Sequence, residues 1–227
     1  MADYLFKQTE TKERLRQFFS SEKPSLSSFG SRVNQTFEAY IFARLIRRYR
    51  DVGWKVTIQN PTFYGKKQLR LKFSTRGRPQ NYSFVECERD GVRCQIRHQL
   101  RVATRADDGS GSANICCDLV IIDDLDLSAF STFSALPNSN LISFGEVKHM
   151  SAYAELIAGF IGMVHELQPD RLQPVRIPSW KTGPHLPPFL SVSGVLYATA
   201  KGLRETIVQR QFDLDIYCFD DSFPAAI

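Results

Sequence analysis

The sequence predicts an α/β fold with a central mixed β-sheet flanked by helices. Three observations carry this expectation. Residues 34–49 repeat apolar side chains at helical spacing, residues 54–123 are rich in strand-length apolar or alternating runs, and helix-period and strand-period segments alternate after residue 151. The 227 residues, 43% of them hydrophobic, supply one sizeable core.

Taken in order, the polar run "QTETKERLRQ" predicts an N-terminal helix, ended by the Ser/Pro/Gly stretch "SSEKPSLSSFGS", which reads as a linker. Residues 1–30 form a helical extension on this reading, and residues 31–227 form the main domain. In the next helix Ile41, Phe42, Leu45, Ile46 and Tyr49 make one apolar stripe, and Glu38 falls in its middle. A carboxylate aimed into a core is costly unless it is paired, protonated, metal-bound or serving its own helix dipole.

Gly53 closes that helix, and "WKVTIQ" reads as a strand. Extended segments follow, with a β-hairpin insertion expected around residues 66–105 that turns at "RDG". In "GVRCQIRHQLRVATR" strict alternation places Val92, Cys94, Ile96, His98, Leu100 and Val102 on one face. Arg93, Arg97, Arg101 and Arg105 then fall on the other. Such a row either tracks a phosphate backbone or is the wet side of a half-buried sheet.

The loop "DDGSGSAN" lacks the Lys-Ser/Thr ending of a phosphate-cradling loop. "ICCDLVIID" has the length and composition of a core strand, and a second strand ends at "LISFGEVK". Ser151 is placed to cap the helix "SAYAELIAGFIGMVHEL". The proline-rich connector from Gln168 to Pro188 has the length of a lid. A strand "FLSVSGVLYAT", a helix "KGLRETIVQRQF" and a strand "LDIYCF" complete the order.

No apolar run is long enough to span a membrane, and the first residues lack the order of a secretory signal. Five cysteines form no Cys-x-x-Cys pair, so a cytoplasmic protein with reduced thiols is expected, without structural zinc. The charge is divided unevenly. Up to Gln80 there are 17 Lys/Arg against 6 Asp/Glu, and the remainder has 12 against 18. A basic half facing a polyanion is one reading, and an ordinary solvated surface is the other.

The chemistry centres on Glu146 and Lys148. Alternation puts them on one strand face, roughly 6–7 Å apart along the backbone, above the apolar Ile142 and Phe144. Asp118 sits amid apolar residues in the preceding core strand. Strands lie about 4.8 Å apart, so Asp118 and Glu146 can share one divalent cation with Lys148 beside it. Hard oxygen ligands without His or Cys point to Mg²⁺ or Mn²⁺. Lys148 would hold or deprotonate a water, or steady charge developing on a phosphate.

Asp118, followed 28 positions later by Glu146-Val147-Lys148 at a strand end and then a helix, resembles the PD-(D/E)xK nuclease superfamily, the restriction endonuclease-like fold. The resemblance spans residues 34–219 and implies an αβββαβ core, with Cys117 standing where the family's name has proline. It implies Asp118, Glu146 and the Val147 carbonyl as metal ligands, Lys148 as the catalytic lysine and Glu38 as an outer ligand. The implied function is Mg²⁺-dependent hydrolysis of DNA phosphodiester bonds by an endonuclease, and cutting both strands would suit a homodimer. Two alternatives stay open: a non-catalytic nucleic-acid-binding scaffold, and a defence or toxin nuclease switched by a ligand or partner protein.

Rival sites are weaker. Ser20-x-x-Lys23 with Lys181-Thr182-Gly183 has the order of penicillin-recognising enzymes, but Pro24 disfavours the helix that would align Ser20 with Lys23. Glu86 and Glu88 share a strand face next to an exposed turn. Asp123, Asp124 and Asp126 read as a strand-ending turn, with Asp123 the substitute for Asp118 if the register slips. His149 reads as a capping or packing residue that could also reach a phosphate, and the other histidines lack metal spacing.

Overall fold

A computed structural model describes residues 6–107, 109–182, 185–219, 221 and 223. Two helices, α1 (Gln8–Phe18) and α2 (Val33–Asp51), lead into β1 (Lys55–Gln59). A small hairpin, β2 (Thr62–Phe63) and β3 (Lys66–Lys67), precedes β4 (Phe84–Arg89), β5 (Val92–Ala103), β6 (Asn114–Asp123) and β7 (Leu141–Lys148). Then come α3 (Ala154–Leu167), the single turn α4 (Ser179–Thr182), β8 (Phe189–Val192), α5 (Ala198–Gln209) and β9 (Asp215–Tyr217).

Seven strands form one mixed sheet in the order β1-β4-β5-β6-β7-β8-β9. Neighbours are antiparallel from β1 to β7 and parallel from β7 to β9. Parallel neighbours need a crossover, and α3 and α5 provide the two required here. The α/β expectation therefore holds. The strands β4 and β5 belong to the main sheet; the separate two-stranded hairpin is β2–β3.

Two apolar cores sandwich the sheet. The stripe of α2 packs with Cys94, Ile96, Leu119 and Ile121, while Ile157 and Phe160 of α3 and Ile207 of α5 pack with Leu100, Val102, Val120 and Ile122. Two bonds end α2: Trp54 N–H reaches Tyr49 O at 2.9 Å, and Gly53 N–H reaches Arg50 O at 3.0 Å. This closure needs a left-handed residue, which Gly53 supplies at φ +85°. The Trp54 and Tyr49 rings meet edge-on at 5.4 Å, the apolar contact that accompanies such a cap.

Several expectations change. The serine-rich linker is tied down: its Phe29, and Phe19 just before it, are fully buried in the core of α2, and Thr36 Oγ1 donates to Phe29 O. The described residues of the 168–188 connector are tied to the body of the fold and do not form a free lid. Gln168 Nε2 donates to Leu141 O and Ile142 O, Arg171 pairs with Asp213, and His185 Nδ1 shares a 2.6 Å hydrogen bond with the Tyr49 hydroxyl. Ser151 does not cap α3, which starts at Ala154 behind Tyr153; its hydroxyl accepts from Val195 N–H instead. Gly183 of the Lys-Thr-Gly triplet lies outside the described residues.

The strict alternation expected of β5 breaks at Gln99, which adopts φ +55°. Pairing steps from His98↔Leu119 to Leu100↔Cys117 without pairing Gln99 to Asp118. Cys94 and Ile96 face the α2 core, whereas Leu100 and Val102 face the α3 core. The strand changes phase at this residue.

Candidate functional site

The site forms where β7 leaves β6. Antiparallel pairing of these strands ends at Leu119↔Gly145, whereas β7 stays paired with β8 from Gly145↔Phe189 to Lys148↔Val192. At such a fork the inner backbone groups of β7 lose their ladder partners, and buried N–H groups must find others. Asp118 supplies one: its Oδ2 accepts the Val147 N–H at 2.9 Å. The Lys148 carbonyl accepts from Ser193 N–H on the β8 side. Successive carbonyls in a strand alternate, so the Val147 carbonyl turns into the fork.

Around this fork the fold brings Asp118, Glu146, Lys148 and Glu38 together. Lys148 Nζ lies 3.3 Å from Asp118 Oδ2 and also touches Glu146 Oε1. Gln99 Nε2 bridges Asp118 and Glu38, donating to Asp118 Oδ1 at 2.8 Å and to Glu38 Oε2 at 3.2 Å. Glu38 comes from α2, so three strands and one helix meet here. The change of phase in β5 is what turns the Gln99 amide toward α2.

Gln99 carries no signal in the sequence, where it is one polar position of a regular alternation. Lys72, itself buried, donates from Nζ to the Gln99 carbonyl at 2.7 Å and fixes the left-handed residue from behind. His98 is fully enclosed, with its ring beside Phe42 and Phe73. Its Nδ1 contacts the Lys72 carbonyl, which makes that nitrogen the donor. The unprotonated Nε2 then faces Glu38 Oε2 at 3.5 Å. Two acceptors face each other unless Glu38 carries a proton.

The electrostatics agree. Burial, reinforced by the charge of Asp118, pushes Glu38 up to about 7. Burial and Asp118 push Glu146 to about 7 as well, against the pull of Lys148. Burial drives His98 down to about 4, so it is neutral near pH 7. For Lys148, burial acts to lower the value, but Asp118 and Glu146 outweigh it and hold the ammonium above its usual range. These carboxylates crowd one desolvated spot, and a cation relieves them.

No protein-family model, curated protein or solved structure matches this chain.

Whether a divalent cation fits must be judged on the donors themselves. Among the described residues no three His, Cys, Asp or Glu side chains stand as a ready-made metal cage. The position between Asp118 and Glu146 is taken by the Lys148 ammonium. Glu146 Oε2, however, is buried with no hydrogen-bond partner among the described residues. Such an orphaned acceptor is expensive, and together with Asp118 and the inward Val147 carbonyl it makes a hard-oxygen donor set. Hard oxygen donors of this kind are the type that Mg²⁺ or Mn²⁺ takes.

The four arginines do not form one exposed row. Arg97 is buried, stacked 3.8 Å over the Phe84 ring, with Nε on Gln95 Oε1. Arg93 pairs with Asp124, Arg101 donates to Asn114, and Arg105 pairs with Asp170. The phase change at Gln99 and these local partners dissolve the expected stripe.

The rivals have structural partners. Glu86 accepts from Gln59 and Glu88 pairs with Lys55 on the neighbouring strand. Asp123 accepts from Asn140, and Asp126 accepts from the Ser128 backbone and hydroxyl in a turn. His149 packs against the Phe6 and Phe37 rings. Ser20 opens a 3₁₀ turn that ends with Lys23 in a left-handed conformation, not a helix aligning the two.

Proposed function

We propose that this protein is a Mg²⁺- or Mn²⁺-dependent phosphodiesterase of the PD-(D/E)xK nuclease type, acting on DNA as an endonuclease. The observation that carries this reading is the fork itself. Two carboxylates, an ammonium and an outer glutamate converge where β6 and β7 part, and among the described residues the buried Glu146 Oε2 has no hydrogen-bond partner of good geometry. A structural ion pair would not need the third carboxylate, the bridging amide and the strained backbone beside it.

Asp118, Glu146 and the Val147 carbonyl would hold the cation, and Glu38 would orient its outer sphere through Gln99. Bound there, the metal supplies a Lewis acid for the scissile phosphate and acidifies a water. Lys148, held firmly protonated, suits hydrogen bonding to the phosphate or positioning of the attacking water rather than taking a proton. Cutting both strands calls for two such sites, which a homodimer would provide. Five free thiols fit a reducing, cytoplasmic setting.

The test incubates supercoiled plasmid, and separately RNA, with Mn²⁺ or Mg²⁺, using EDTA as control. Cleavage of the plasmid is expected with either metal and none with EDTA. Lys148→Ala should lower the rate at least about 10²-fold, as removal of one electrostatic stabiliser does, with DNA affinity and folding retained. Normal cutting by that variant, or metal-independent cutting, would overturn the reading.

A further inference from the structure

The helix that delivers Glu38 carries a second chemical surface on its other side. Tyr40, Arg44, Arg47, Arg48 and Asp51 recur at the spacing of one helical stripe, turned away from Glu38. With Arg14 and Phe18 of α1 they line a cleft of about 610 Å³, within the size range of small-molecule sites.

Its charge is lopsided: four arginines against one carboxylate. Guanidiniums held this close repel one another, a cost that a shared anion would relieve. The dipole at the C-terminus of α2 favours Arg48. It does not account for Arg14 across the cleft. Among the described residues, Arg14, Arg44 and Arg47 have no carboxylate within ion-pair distance.

Two of the guanidiniums are also pre-ordered. Arg44 lies over the Tyr40 and Phe223 rings at 5.7 and 5.0 Å, and Arg47 lies 5.6 Å over Phe18. Arg44 is further fixed by the Phe219 carbonyl at 3.1 Å and the Asp221 carbonyl. Stacking holds the planar Arg47 group while leaving its N–H edges to meet phosphate oxygens, and Arg44, with one N–H of each Nη given to a carbonyl, keeps its remaining N–H groups for the same use, so less side-chain entropy is lost on binding. The accessible apolar lining is Phe18 and Val52 over the buried Leu15 and Ala43, with Asp51 and Gln17 offering acceptors. A bare inorganic anion would leave those apolar and acceptor groups unused.

We infer that this cleft between α1 and α2 binds a nucleoside polyphosphate, with its phosphates on Arg14, Arg44 and Arg47 and its base and sugar against the apolar wall and Asp51. The inference stands independently of the nuclease reading, since it uses none of the fork residues.

Isothermal titration of the full chain with ATP, in EDTA to exclude metal-linked binding at the fork, tests it. ATP should bind, adenosine should give no saturable heat, and tripolyphosphate should bind at least tenfold more weakly than ATP. The double variant Arg14→Ala/Arg47→Ala removes two exposed side chains. It should weaken ATP at least tenfold with an unchanged far-ultraviolet dichroism spectrum. Arg47→Lys, which keeps the charge but loses the planar two-pronged donor, should fall between. Absence of ATP binding, equal affinity for tripolyphosphate, or unchanged affinity in the double variant would overturn the assignment. So would a short DNA duplex that displaces ATP and is lost in the same variant, which would give the cleft to a nucleic-acid backbone.

Discussion

Asp118 accepts the backbone N–H of Val147 at 2.9 Å, from across the point where their strands stop pairing. One carboxylate thus replaces a ladder partner, receives the Gln99 amide and faces the Lys148 ammonium. Asp118→Asn keeps an acceptor but removes the charge that helps raise Glu38, Glu146 and Lys148. All three should therefore titrate lower in the variant, by carboxyl- and ammonium-detected NMR. Cleavage should drop by roughly 10²-fold or more, and stability by about 1–3 kcal/mol from the imperfectly matched buried donors. Unmoved glutamates would show that the three carboxylates do not share one field.

Gln99 combines a strained backbone with a bridging side chain. Gln99→Ala keeps the left-handed φ, with its cost of about 1–3 kcal/mol, and strips the amide from two buried carboxylates. Destabilisation of about 1–3 kcal/mol is expected in urea unfolding. Glu38 should titrate higher, because the Gln99 bond is one of the influences that lower it. Gln99→Gly loses the same amide but tolerates the conformation, so it should be the more stable variant by about 1 kcal/mol. If Ala and Gly prove equal, the backbone at this position is not under strain.

The raised Glu38 has a signed consequence for stability. Its value in the fold is about 7 against an ordinary 4.5, so the folded state binds more protons in that interval. Stability attributable to Glu38 is therefore full below pH 4.5 and lost as pH rises towards 7. His98 and His185, both depressed to about 4, push the other way up to their ordinary 6.5. The wild-type curve alone thus hides the effect, and comparison with Glu38→Gln isolates it. The variant should gain on the wild type between pH 4.5 and 7. The gain should level at about 3 kcal/mol, since each pH unit of that interval is worth about 1.4 kcal/mol. Thermal melts across that range read the difference directly. A parallel pair of curves would mean that Glu38 is ionised throughout.

Much of this site was legible because its residues break local patterns. Glu38 interrupts an apolar helical stripe and Asp118 an apolar strand, and Glu146 and Lys148 keep one face of a strand end. The α/β order was legible too, since periods of 3.6 and 2 are written in the chain. Gln99 was hidden, because it looked like one more polar residue of a regular alternation. Nothing in the sequence announces that the alternation changes phase there, which depends on Lys72 gripping its carbonyl from another segment. The same phase change, and the Phe84 ring under Arg97, explain why the arginine row did not survive. The serine-rich stretch was legible only in part: composition says loop, but two phenylalanines at its ends are anchors.

Gly145 precedes Glu146 directly, and the space beside it decides where that carboxylate can stand. A Cβ at residue 145 would come within 2.6 Å of Phe189 Cε2 and 2.8 Å of Cε1, far inside contact distance. Phe189 cannot swing away, since it is fully buried and its ring packs against Tyr217 and Phe223 at 6.0 and 5.4 Å. Gly145→Ala must therefore push β7 away from β8, at a cost of about 1–3 kcal/mol, and shift Glu146 and Lys148 together relative to Asp118 on β6. Cleavage should fall with it, though no group at the fork has been changed. Phe189→Leu removes ring atoms from the colliding position and should restore part of both losses. The double variant should be more stable than the sum of the two single effects by about 1 kcal/mol or more. Strict additivity in unfolding experiments, or full activity of Gly145→Ala, would show that the ring and the glycine do not set the position of the site.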